Sequence, residues 1–198
     1  MISTDIPPGA TMWLTGLPSA GKSTLAAALA ARLRGEQGRR VEVLDGDELR
    51  RTVSADLGFG RADREENVRR VGALAAELAR EGAIVLVAVI APYADSRADV
   101  RRLHVAAGIP YLEIHVATPI EVCVRRDVKG LYRRHAAGEL SGLTGVDDPY
   151  EVPKAPDLRI DTRHEPVETS VKALEDLLRV RLQVRIPPVS KGAAAQTG

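Results

Sequence analysis

The eight residues Gly16-Leu17-Pro18-Ser19-Ala20-Gly21-Lys22-Ser23, followed by Thr24, satisfy the pattern G-x-x-x-x-G-K-[ST], a loop suited to holding the phosphates of a nucleotide. Successive backbone N–H groups of such a loop turn inward toward a β-phosphate, and glycine permits the curl because it has no Cβ to clash. A helix opening at its end adds a positive dipole terminus. Lys22 is expected to reach the β- and γ-phosphates. The Ser23 hydroxyl is expected to ligate Mg²⁺, whose octahedral shell phosphate oxygens and water complete. Thr24 reads as a first-turn helix residue with a phosphate contact. The plainer alternative is a glycine turn preceding a helix.

A second group follows the next apolar run. Asp45-Gly46-Asp47 places two carboxylates around a glycine, where a hydroxyl awaiting a phosphoryl group would lie. A carboxylate there can orient or deprotonate that hydroxyl, a contribution of about 10²–10⁴-fold for a general base. Asp47 is assigned to the hydroxyl and Asp45 to an auxiliary role. A strand-ending turn with a helix N-cap explains either aspartate as well. Arg50, one helical turn beyond Asp47, can offer its fork to a phosphate or sulfate. Arg64, Asn67 and Arg70 recur every third residue on one side of a helix, as a binding face or as a solvated one.

The cradle alone does not distinguish kinases from GTPases and motor ATPases. GTPases read guanine with Asn-Lys-x-Asp, but Asn67 is followed by Val68. Motor ATPases end an apolar strand on a Mg²⁺-holding Asp, whereas Ala83–Ile90 runs into Ala91-Pro92-Tyr93. A small kinase with an acceptor site and a lid remains.

The elements that must position these residues are legible as a rhythm. Short apolar runs at Thr11–Thr15, Val41–Leu44, Ala83–Ile90, Tyr111–Ala117 and Leu158–Ile160 read as strands. Helical patterns at Lys22–Gln37, Arg64–Glu81, Ser96–Ala107, Pro119–Arg126 and Pro166–Arg181 alternate with them. Val68, Val71, Leu74, Ala75 and Leu78 form an apolar stripe on the second helix, which is core. The α/β rhythm implies an open parallel sheet of the P-loop NTPase type, flanked by helices, with ligands at the carboxyl ends of its strands. From Asp127 to Pro156 periodicity fails, and this glycine-containing stretch reads as a lid. One domain over residues 1–185, with the lid at about 127–156 and a disordered tail over 186–198, is the expected organisation.

Composition narrows the setting. The 28 basic and 27 acidic residues leave a net charge of +1, which gives no polyanion-binding surface for a nucleic acid. Cys123, the single cysteine, reads as a buried structural thiol in a reducing compartment. The N-terminus has no apolar signal region, and the longest apolar run, Ala83 to Pro92, is about half a membrane span. A soluble, cytoplasmic protein without membrane partners is expected.

Taken together, several stretches resemble the adenylylsulfate kinase family, which phosphorylates the 3′-hydroxyl of adenosine 5′-phosphosulfate (APS) with MgATP in sulfate assimilation. They are Gly16–Thr24, Leu44–Arg50, Leu57-Gly58-Phe59, Asp63–Arg70, Arg126–Tyr132 and Thr144–Glu151, in family order over about residues 10–180. By matching position the resemblance implies acceptor contacts from Arg50, Arg64 and Asn67, a ring from Phe59 against the acceptor adenine, and an approach by Lys129. It likewise implies Ile90 and Leu143 in the acceptor pocket, and Arg126 near the ATP base at the lid hinge. A homodimer, and association with ATP sulfurylase, are further implications.

Three positions depart from the family pattern. Ala91 replaces the usual serine before the proline of the third-strand motif, so a phosphoenzyme at that residue cannot form. Leu143 stands where the family generally has a lid phenylalanine; the lost ring is worth about 0.5–1.5 kcal/mol beyond its area burial. Pro18-Ser19 replaces the usual Ser-Gly of the cradle. The first two leave open a related kinase acting on another nucleoside-like or small hydroxylated acceptor. A non-catalytic nucleotide-binding subunit is disfavoured by the intact Lys22, Ser23 and Asp47.

Overall fold

The computed structural model describes residues 9–34 and 40–183. Its centre is a parallel sheet of five strands, β1 (Ala10–Thr15), β2 (Val41–Asp45), β3 (Ile84–Ala88), β4 (Tyr111–Val116) and β5 (Leu158–Ile160), in the order β2-β3-β1-β4-β5. The central strands are buried along their whole length because helices cover both faces. Alternation sends Met12 and Leu14 of β1 to one face and Trp13 to the other.

On the first face α1 (Lys22–Arg34) and α7 (Val167–Gln183) pack Leu25, Leu29, Leu174 and Leu178 against Leu86, Leu112 and Ile114. On the second, α3 (Arg61–Arg80) and α4 (Ala94–Ala106) pack Val71, Ala75 and Val100 against Trp13, Val85 and Val87. Of the predicted stripe, Val68, Val71 and Ala75 are buried, while Leu74 and Leu78 pack on the same cluster partly exposed. Cys123 is fully buried in the first cluster.

The five strands lie where the sequence placed them, within one or two residues at each end. The second long helix begins at Arg61 rather than Arg64, because Gly60 enters it extended and Asp63 suits its first turn. Helix α5 (Ile120–Arg126) falls within the expected Pro119–Arg126 segment. Two short helices escape the periodicity reading: α2 (Gly46–Leu49) and α6 (Leu131–Ala136) are too brief to show a repeat. The expected end of the first helix at Gln37 and the tail from Ile186 lie outside the described residues.

β1 is the point at which the chain order reverses, since β3 and β4 flank it. A crevice opens at the carboxyl ends of strands beside such a reversal. The cradle leaves β1 there.

Candidate active site

The loop after β1 curls tightly into α1. At Gly16 an added Cβ would lie 2.5 Å from the Val116 carbonyl oxygen of β4; Gly21 holds φ at +105° just before the helix. Helix α1 begins at Lys22, so its first N–H groups have no intrahelical partners and are free for an anion. Lys22 is buried, and its Nζ donates to the carbonyls of Gly16 (2.9 Å) and Leu17 (2.7 Å). Burial, above all, and then Lys129 pull the Lys22 ammonium down to about 8. A phosphate would offer that ammonium a stronger, charged acceptor than two carbonyls.

Beside the cradle, Asp45 does two things. Its Oδ1 accepts from the Asp47 N–H (2.9 Å), capping α2, and its Oδ2 accepts from the Ser23 hydroxyl at 2.5 Å. The N-cap reading holds for this residue. Asp47, half-exposed, pairs with the Lys129 ammonium. Ser23, Asp45 and Asp47 carry hard oxygen donors that suit Mg²⁺ and line one cleft. Such an ion would take the rest of its octahedral shell from substrate phosphate and water.

These groups line one cleft of about 710 Å³. Pro18, Ser19 and Gly21–Thr24 form its donor end, together with Arg126. Arg126 donates to the Thr162 hydroxyl (2.8 Å) and carbonyl (2.7 Å). Arg50, Phe59, Arg64, Asn67 and Ile90 form the other end, with Asp45, Asp47 and Lys129 also on the lining. Gly16, Leu17 and Ala20 shape the loop without lining the cleft.

At the acceptor end Arg50 donates to the Gly58 carbonyl (2.6 Å), and its guanidinium lies 4.9 Å from the centre of the Phe59 ring. That ring is 72% exposed, a large apolar face held ready for a planar partner. The Asn67 Oδ1 is buried with no hydrogen-bond partner, so a donor on a bound molecule would relieve a costly vacancy. Arg70 turns away to Asp56 and Glu66 on the surface.

Arg64 is only 9% exposed and is largely committed within the protein. Its Nε donates to the Phe59 carbonyl (2.6 Å), its Nη2 to the Gly142 carbonyl, and its Nη1 to the Thr144 hydroxyl; the Asp148 carboxylate lies 3.2 Å from Nη1. Residues 142–148 therefore form a strap fastened to α3. Its far end is fastened as well: Tyr150 meets the Thr15 hydroxyl (3.0 Å), and Glu151 accepts from the Ala94 N–H (2.6 Å) and, at its carbonyl, from Arg97 (2.6 Å). The predicted lid is thus a helix, α6, followed by a pinned strap. Leu143 sits in the core with 5% exposure and does not line the cleft.

Sequence reasoning missed Thr118 and Thr162, whose hydroxyls converge on the Ala20 carbonyl (2.8 and 3.1 Å) and brace the cradle from β4 and β5. Both lie two residues beyond a strand end, the one signal that could have found them.

The profile of the adenylylsulphate kinase family matches residues 8–161. The chain is 53% identical over 173 residues to the adenylyl-sulfate kinase of Myxococcus xanthus, covering 87% of this chain and 92% of that one. It is 47% identical over 164 residues to the adenylyl-sulfate kinase of Picosynechococcus, covering 83% and 90%.

The chain belongs to the adenylylsulphate kinase family.

The fold agrees. The Mycobacterium tuberculosis APS kinase, solved in complex with AMPPNP and APS, superposes on this kinase with a TM-score of 0.83 at 46% identity, covering 87% of this chain and 99% of that one. The five-stranded parallel sheet flanked by helices is accordingly a P-loop NTPase fold.

Proposed function

We propose that this kinase transfers the γ-phosphoryl group of MgATP to the 3′-hydroxyl of APS, giving 3′-phosphoadenosine 5′-phosphosulfate (PAPS) and ADP. The observation that carries this reading is the arrangement of one cleft. Lys22 and Ser23 mark a phosphate end, Arg50, Phe59, Arg64 and Asn67 mark an end suited to a planar base and an anion, and Asp47 lies on the lining with both.

Lys22 exchanges its carbonyl acceptors for the β- and γ-phosphates, carrying charge to the place where the transition state spreads it. Ser23, whose hydroxyl donates to Asp45, would help hold Mg²⁺, which would supply neutralisation of phosphate charge. Asp47 orients the attacking hydroxyl and accepts its proton, while Lys129 keeps the carboxylate in place. Arg50 and Arg64 hold the phosphosulfate and Phe59 the adenine. Transfer runs directly between the two substrates, because Ala91 has no hydroxyl to carry the phosphoryl group.

A homodimer, a cytoplasmic setting and association with ATP sulfurylase belong to the same reading. Among the described residues no helix is long and apolar enough to cross a membrane. The test of function is ADP release by the purified protein with MgATP and either APS or AMP. APS-dependent release is expected; release that ignores APS, or a clearly better hydroxyl acceptor in a parallel screen, would overturn the assignment.

A further inference from the structure

The departure of the cradle from the family pattern has a structural counterpart. Ser19 holds φ at +61°, a left-handed conformation that glycine adopts freely and serine resists. Such strain persists where surrounding contacts compensate for it. Here the contact is specific: the Ser19 hydroxyl oxygen accepts the Val128 N–H at 3.2 Å. Glycine at this position would have the easier backbone and no such bond.

Val128 belongs to a stiff turn. The Asp127 carboxylate accepts from the N–H groups of Tyr132 and Arg133, each at 3.0 Å, and the Asp127 carbonyl accepts from Gly130 at 2.9 Å. The turn is fixed to the cradle a second time by Tyr132, whose buried hydroxyl donates to the Pro18 carbonyl at 3.1 Å. Both unusual cradle residues thus hold the same turn. Between its two anchors the turn carries Lys129, whose ammonium pairs with Asp47. Ser19, Val128, Lys129 and Asp47 all line the cleft, so a nucleotide with its phosphates in the cradle is bounded by this turn.

We propose that Ser19 is a positioning residue: its hydroxyl docks the Asp127–Arg133 turn on the phosphate cradle, holding Lys129 against Asp47 and slowing departure of the nucleoside diphosphate. The inference rests on the nucleotide-binding part of the proposed function and not on the identity of the acceptor. Its first test therefore needs no turnover.

Release of a fluorescent ADP analogue from the intact protein with Mg²⁺ is followed by stopped flow for Ser19→Ala and Ser19→Gly, with thermal melts of both. The alanine keeps the backbone strain and loses the bond; the glycine loses both. Release is expected to quicken roughly three- to tenfold in both variants, the range for one neutral hydrogen bond, while Ser19→Gly melts above Ser19→Ala. A purely structural role would make release follow stability, leaving Ser19→Gly close to the parent. Parent-like release in Ser19→Gly, or in both variants, overturns the proposal. For Lys129, a double-mutant cycle on phosphoryl transfer is read: in a Lys129→Ala background, Ser19→Ala should change kcat less than twofold. An undiminished effect there would show that Ser19 does not act through Lys129.

Discussion

Replacing Arg64 by alanine separates the proposed binding role from a structural one, because the side chain both lines the cleft and fastens the strap. The guanidinium donates to the carbonyls of Phe59 and Gly142 and to Thr144, and it faces the Asp148 carboxylate. Truncation strips Asp148 of a charged partner, a contact of roughly 1.5–3 kcal/mol, and removes neutral-acceptor bonds of roughly 0.5–1.5 kcal/mol each. The Asp148 side chain is 22% exposed, so water admitted from the cleft restores part of this. A net loss of roughly 2–4 kcal/mol is expected, or a fall in Tm of roughly 5–15 °C for a chain of this size. Separately, a charge-assisted contact to the acceptor anion disappears, raising the KM for APS roughly 10- to 150-fold. Thermal melts and initial rates against APS and ATP read the two effects independently. An unchanged Tm would refute the reading of Arg64 as the fastening of the strap; an unchanged KM for APS would confine it to that fastening.

Three further outcomes are expected. Asp47→Asn should lower kcat roughly 10²–10⁴-fold with ATP affinity near the parent value, measured by titration and steady-state rates, and an unaltered kcat removes Asp47 from catalysis. Lys22 titrates at about 8 in the free protein, and phosphate binds its charged form. ATP affinity by calorimetry should therefore be flat below that pH and weaken above it, with no such alkaline limb in Lys22→Met. His115 is pushed down to about 4, first by burial and then by Arg159 and Arg97. Its folded pKa lies below its ordinary 6.5, so the unfolded chain binds the extra proton, and stability present above 6.5 is lost as pH falls through 4. Melts across that range should decline less steeply for His115→Asn than for the parent.

The sheet and the phosphate cradle were legible because their signals are local: apolar runs with turn residues between them, and a loop pattern that only one backbone geometry satisfies. Asp45, Asp47 and Arg50 were legible by position, at a strand end beside the cradle. What could not be read was the company each side chain keeps across the fold. Arg64 was placed on a helix face by its spacing, but its commitment to Gly142, Thr144 and Asp148 joins residues some eighty positions apart. Leu143 lies within the expected lid, yet its apolar side chain finds the core rather than the cleft. Phe59 is then the one aromatic side chain on the described lining, so the proposed acceptor base would meet a ring on one face only. Helix α2 is capped by Asp45, and the first-turn N–H groups of α6 at Tyr132 and Arg133 are taken by the Asp127 carboxylate; such contacts leave no periodic trace.

The destination of the phosphoryl group decides the function of this kinase. Mass spectrometry and ³¹P NMR of the product formed from APS and MgATP test this most directly. The prediction is one phosphate added at the ribose 3′-hydroxyl with the phosphosulfate intact. An unmodified APS pool alongside ATP hydrolysis, or phosphate at any other position, would contradict it.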